Sequence, residues 1–423
     1  MGNEQSRPPA RGRTVRSRVL VAALAAAGLL VGGAPSAGAE AAPGDSAAAA
    51  SANEVVTWGA SQVQLSEPEN FADMTVRNLV HTSVGGSGLQ VTLSNAEGDR
   101  PVTFSPVTVG VQSEGAAVVP GRQHQLTFEG EASVTIEPGE TAQSDSLNWN
   151  VPADTTLAVS VHTVGDTGPV TGHTFANQVS HTAPGDATDD VSGDAFDGTI
   201  NNWYWVEALT VQAPREASTL AFFGDSITDG VGATTGANLR WPDQLADRIA
   251  NSRYVHSYGV TNQGISANRL LEDGTGDAGI DRFAGDVLDE PSVSTVFVLE
   301  GVNDLRWDLA RTPEDLTDAY SQLISEAHAE GVCVVGATIL PFGGSSRWNA
   351  EREEVRLEVN DWIRTSGAFD SVVDFDAVVR DPDNPVEMDP RYGDDDHLHP
   401  NDEGYTQMAE AVDLTTLDCD RTR

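Results

Sequence analysis

Lysine is absent from this sequence. All 24 basic residues of the 423-residue chain are arginine, set against 64 Asp and Glu, and the formal charge is −40 at pH 7. A chain without lysine cannot build a phosphate-binding loop of the Walker type. A surface this acidic repels phosphate backbones, which argues against a nucleic-acid partner and leaves solubility as the plain reading of the charge. Cysteine is nearly absent as well. Cys333 lies in an apolar strand and Cys419 beyond the last helix, and neither has the neighbours of a catalytic or metal-binding thiol. They could form one disulfide or remain two unpaired thiols. No Gly-x-Ser-x-Gly elbow occurs, which disfavours the ordinary α/β-hydrolase arrangement.

What is present begins with a leader. Residues 1–39 carry Arg7, Arg11, Arg13, Arg16 and Arg18, then an apolar run over 19–31, then Ala37-Gly38-Ala39. Charged, apolar and small-residue regions in that order are the secretory signal pattern, without a twin-arginine pair. The run is too short and too rich in Ala and Gly to span a membrane. The expectation is a secreted, extracellular protein with no stable membrane insertion after cleavage. Residues 40–53 read as a flexible linker.

From 54 to 213 the texture is β. Short apolar or alternating runs at 75–80, 89–93, 107–111, 133–136 and 157–161 are separated by Gly- and Pro-containing turns. That spacing predicts an antiparallel β-sandwich domain, with 182–198 as a long loop and 204–211 as the closing strand. His81, His124, His162, His173 and His181 have no metal-ligand spacing and read as surface or turn residues. Trp58, Trp149, Trp203 and Trp205 read as core, with a sugar-stacking face as the minority alternative.

Over 217–418 strands alternate with helices. Strands are expected at 219–223, 255–261, 294–300, 332–339 and 371–375. Helices are expected at 241–250, around 280–288, after Thr312-Pro313-Glu314, across 355–363 and from about Asn401. Five strands in this alternation predict a parallel five-stranded sheet covered on both faces, with ligands bound beyond the carboxyl ends of the strands. Four polar turns fall at that rim: Gly224-Asp225-Ser226, Asn262-Gln263-Gly264, Gly301-Val302-Asn303-Asp304 and Asp396-His397-Leu398-His399-Pro400.

Together they permit acyl transfer. A serine hydroxyl needs a base, which His399 supplies, and the imidazole needs a carboxylate to fix its tautomer, which Asp396 supplies. His397 is a competing base. Backbone N–H groups of Ser226 and Gly264 and the Asn303 amide are candidate oxyanion donors. Asp225 reads as a hydrogen-bonding residue of its turn. Trp307 and Trp348 either stack a sugar or acyl group or belong to core and surface.

These four blocks, in this order, resemble the SGNH (GDSL-type) hydrolase family. The resemblance covers roughly 217–418 and implies a three-layer α/β/α, flavodoxin-like domain with Ser226 as nucleophile, His399 as base, Asp396 as its acid, and no cofactor or required metal. The stretches 236–242 and 262–271 are similar to a bacterial branch associated with acetylxylan-type esterases, in which an added jelly-roll-like sandwich also tends to accompany carbohydrate esterases. Arg240, within the first stretch, joins Trp307 and Trp348 as a candidate substrate contact. The expected function is a secreted serine esterase acting on acylated carbohydrate or another small ester. A lipase or arylesterase of broader acyl specificity is the alternative within the family, and a non-catalytic carbohydrate-binding or adhesion protein the alternative outside it.

Overall fold

The computed structural model describes residues 52–65, 71–253 and 257–418. The expected leader, residues 40–51 of the expected linker and Cys419 lie outside them; Cys333 is disulfide-bonded. Among the described residues no helix is long and apolar enough to cross a membrane.

The first half is built from antiparallel strands. One sheet runs Asn53–Gly59, Val206–Ala213, Gly86–Ser94, Thr141–Gln143, and a second centres on Met74–Thr82, Thr155–Val164 and Val102–Glu114. Alternation is clear in Gly86–Ser94: Leu89, Val91 and Leu93 are fully buried while Gln90 and Thr92 between them are less so. Thr155–Val164, flanked on both sides, is buried along nearly its whole length.

Three expectations need correction here. The closing strand is two strands, because Trp205 adopts φ 61° and redirects the chain. Trp203–Tyr204 pairs with Val170–His173, whereas Val206–Ala213 joins the first sheet. Trp205 is buried against Phe71, Phe104 and Tyr204, and that packing holds a backbone conformation a bulky residue rarely adopts. The 182–198 loop begins and ends in strand, since Ser180–Pro184 pairs with Gly198–Ile200. His162 and His173 are buried rather than at the surface. The four tryptophans of this half are buried.

The second half is an α/β layer structure around a parallel five-stranded sheet. Its order is Tyr258–Gly264, Ser218–Gly224, Val293–Leu299, Cys333–Ala337, Ser371–Val373. Leu220, Ala221, Phe222 and Phe223 have no exposed surface, as a strand covered on both faces requires. Helix starts are chemically specified. Thr312 and Asp315 form a capping box for Pro313–Ala329, Asn349 caps Ala350–Thr365 and Asn401 caps Asp402–Ala411. The expected helix near 280–288 is an α-turn, Gly279–Phe283, running into a π-turn, Ala284–Leu288. Ser226–Asp229, Val302–Arg306 and Phe375–Val379 are short helical turns that the sequence pattern does not announce.

The sheet order reverses at Ser218–Gly224, so the loops leaving it and its neighbours open onto one crevice. The antiparallel half abuts the outer strand of this sheet. Val56 N–H donates to Thr219 Oγ1 at 3.1 Å, Val260 N–H to Ser83 Oγ at 2.9 Å, and Ala60 forms a parallel bridge with Asn262.

Candidate active site

Ser226 opens a helical turn directly after its strand. Asp225 caps that turn, its carboxylate accepting the Ile227 N–H at 2.9 Å, as expected. Ser226 Oγ lies 2.7 Å from His399 Nε2, and His399 Nδ1 lies 2.5 Å from Asp396 Oδ2. The backbone explains how Asp396 and His399, three residues apart, reach this arrangement. Asp396 Oδ1 accepts the N–H groups of Leu398 and His399, each at 2.9 Å, and so folds the Asp396–His399 turn onto its own carboxylate. Burial works against ionisation of Asp396. The hydrogen bonds and charge of His399, with the Leu398 N–H, prevail and hold the carboxyl well below the usual range. An ionised Asp396 accepts a hydrogen bond from Nδ1–H and so leaves Nε2 to accept from the serine hydroxyl. His397, the competing base, adopts φ 57° and turns its ring to the 343–348 loop, where Gly344 faces it.

Two of the three expected oxyanion donors are available. The Ser226 N–H has no hydrogen-bond partner among the described residues. Asn303 donates one amide hydrogen to the Asn268 carbonyl at 2.9 Å and accepts Arg306 Nη1 on Oδ1 at 3.0 Å, which fixes the amide plane and leaves its second N–H. The Gly264 N–H instead donates to Asn262 Oδ1 at 3.0 Å. Only glycine fits at 264, because a Cβ there would stand 2.3 Å from the Asp229 nitrogen. Gly301, at φ 106°, supplies the left-handed turn that brings Asn303 forward.

Beneath these groups lie buried charges that sequence reasoning missed. Arg282 ties together the carboxyl ends of three strands. It donates to the carbonyls of Gly224 at 2.9 Å and Gln263 at 2.8 Å, and its guanidinium faces Glu300 at 3.5 Å. Burial, reinforced by Asp225, pushes the Glu300 carboxyl well up, against the opposing pull of Arg282. Asp304 accepts the N–H groups of Leu270 and Leu271 at 2.8 and 2.9 Å and joins two of the rim turns; burial pushes it up to about 6. Asp229, at the end of the Ser226 turn, accepts Ser266 Oγ at 2.5 Å and is 2.9 Å from Nε2 of His173, a residue of the antiparallel half. Asp304 stands inside a recognised block and was accessible to inspection. Nothing local marks Arg282 or His173.

The rim residues divide. Trp307 is 43% exposed beside Asn303. Trp348 packs on the core of the α/β half and points its indole N–H at Glu353, 3.4 Å away. Arg240 is 8% exposed, donates to the Ala176 carbonyl and stacks over Trp203 at 5.1 Å. Its guanidinium lies between the two halves, where it borders a cavity of about 140 Å³ with Trp58, His81 and Asp243, and its Nε is buried without a hydrogen-bond partner.

With this geometry in place, residues 222–407 match the sequence model of the GDSL-like Lipase/Acylhydrolase family. The α/β half is thus a GDSL-type hydrolase domain, and the antiparallel half lies outside the match. Among solved structures, an aryl esterase of M. smegmatis is 16% identical over 46% of this chain and 95% of its own, with TM-score 0.37. A GDSL-like lipase from Bacteroides thetaiotaomicron is 19% identical over 47% and 87%, with TM-score 0.36. A carbohydrate acetylesterase from Sinorhizobium meliloti is 16% identical over 48% and 98%, with TM-score 0.37. No curated protein matches the chain.

Proposed function

We propose that the chain is a secreted serine esterase that removes acetyl or other short acyl groups from carbohydrate, with Ser226, His399 and Asp396 as its triad. The observation that carries this is the unbroken path from Ser226 Oγ through both imidazole nitrogens to Asp396, in links of 2.7 and 2.5 Å. Ser226 Oγ attacks the ester carbonyl carbon as His399 Nε2 takes its proton, and Asp396 stabilises the imidazolium. The oxyanion is met by the Ser226 N–H and the remaining Asn303 N–H. Collapse breaks the bond to the alcohol oxygen, which leaves with the proton from His399. Water then attacks the acyl-serine with His399 again as base, releasing the acid and restoring the hydroxyl.

Secretion rests on the N-terminal charge and hydropathy pattern, and the carbohydrate substrate on the similarity of 236–242 and 262–271 to acetylxylan-type esterases. Acetate release from acetylated xylan, read beside a p-nitrophenyl ester series of rising acyl length, tests the acyl and the carbohydrate parts of the reading. Acetate release with rates falling along the series is expected. Rates climbing with chain length and no acetate from xylan would replace the carbohydrate reading with a lipase. Ser226→Ala should abolish p-nitrophenyl acetate hydrolysis above background; parental rates in that variant would sink the nucleophile.

A further inference from the structure

Four arginines gather beside Asn303 in a chain whose formal charge is −40. Arg306 donates Nη1 to Asn303 Oδ1 at 3.0 Å. Arg269 follows Asn268, whose carbonyl holds the other end of the same amide. Arg347 belongs to the 343–348 loop, which carries Gly344 against His397 and so borders the triad turn. Arg347 and Arg269 both lie over the Trp307 ring, 3.5 and 5.0 Å from its centroid. Arg352 joins through its hydrogen bond to the Arg347 carbonyl.

Three of the four lack a direct ion pair among the described residues, although Asp225 and Asp396 act on Arg306, and Asp304 feels Arg269, through space. Arg352 pairs with Asp308 at 2.7 Å. Among the described residues Arg269, Arg306 and Arg347 have no ion pair; Arg269 reaches only the Asp273 carbonyl, at 3.4 Å. Nε of Arg269 and Nε of Arg306 are buried without any hydrogen-bond partner. Elsewhere in this half Arg356 is paired with Glu353 and Asp376, Arg364 with Asp374 and Asp376, and Arg391 with Asp389, whereas Arg240, Arg248 and Arg311 bond backbone carbonyls and stand apart from one another. Like charges brought together in a poorly solvated place cost free energy that an anion would recover.

We propose that Arg269, Arg306 and Arg347 form an anion subsite of the esterase centre, and that the preferred ester carries a carboxylate next to the bond cleaved. The proposal rests on the triad reading above. A planar guanidinium fork matches a carboxylate in two parallel hydrogen bonds. A phosphate dianion also fits the fork, but the field of so acidic a molecule repels it about twice as strongly. Trp307, with two guanidinium groups over its ring, orients the forks by cation–π contact rather than offering a face to a sugar.

The test uses the full chain and two matched substrate pairs. One pair places the acid in the acyl part, p-nitrophenyl hemisuccinate against p-nitrophenyl butyrate. The other places it in the alcohol, acetylated methyl glucuronoside against acetylated methyl glucoside. The parent should prefer the charged member of one pair by about tenfold in kcat/KM, the scale of one charge-assisted hydrogen bond. Arg347→Ala and Arg269→Ala should pull that ratio toward one, and Arg347→Lys should keep part of it. A parental ratio at or below one in both pairs overturns the subsite, as does a ratio unmoved in both alanine variants. Tighter inhibition by inorganic phosphate than by succinate overturns the carboxylate assignment. Loss of hydrolysis of all four esters in the parent would instead remove the triad reading, and the subsite with it.

Discussion

Asn303 is held on two sides and presents one N–H, so its contribution to oxyanion binding should be separable from folding. Asn303→Ala is expected to lower kcat by about 10²–10³-fold with KM little changed, measured on p-nitrophenyl acetate. Asp304 gives a pH signature. Its carboxyl is pushed up to about 6 by burial, from an ordinary 3.8. The native state therefore keeps a proton that the unfolded chain gives up, and stability is full below about 3.8 and falls as pH rises through about 6. The loss should total about 3 kcal/mol. In Asp304→Asn, urea unfolding between pH 4 and 7 should lack that slope; an unchanged slope would assign it to another group. Ser226, Asp396 and His399 were legible because each stands in a turn whose neighbours announce it and whose place at a strand end follows from the alternation of elements. The surroundings of Arg240 were not legible, because its partners, Ala176 and Trp203, come from the other half.

Among the elements, the carboxyl ends of the three strands around the Ser226 turn depend on one side chain. Arg282 is 2% exposed and bonds the backbone at the ends of two of these strands, Gly224 and Gln263, beside Glu300 at the end of the third. Arg282→Ala leaves buried carbonyls and a buried acid without their donor, and should cost about 3–5 kcal/mol in denaturant unfolding. At Gly301 an alanine would have to adopt φ 106° and would also meet Tyr320 Oη at 2.9 Å. Most helices of this half were readable from caps and apolar spacing over two or more turns. The turns Val302–Arg306 and Phe375–Val379 were not, because five residues carry too little period to distinguish them from loop. In the antiparallel half strands could be placed but not paired. Asn53–Gly59 finds its partner in Val206–Ala213, and such distant register is set by packing rather than by local pattern.

At the scale of the molecule, the halves share polar contacts that are themselves buried. His173 and Asp229 are 3% and 2% exposed at their junction, and Asn177 Nδ2 donates to the Gly230 carbonyl at 2.6 Å. Calorimetry of the full chain should therefore show a single unfolding transition; two well-separated ones would mean that the halves are energetically independent. His173→Ala should lower that transition and also reduce esterase activity, because Asp229 closes the Ser226 turn. One further consequence concerns the borders of the parallel sheet. On one side the outer strand, Ser371–Val373, is three residues long. On the other, the Val260 amide is taken by Ser83 and Asn262 is bridged by Ala60. Neither border offers a long ladder on which another copy could grow, and the antiparallel half is what covers the longer one. Cleavage between the halves would uncover a seven-residue template, so the isolated hydrolase half should develop turbidity and amyloid-type dye binding under conditions where the intact chain stays clear.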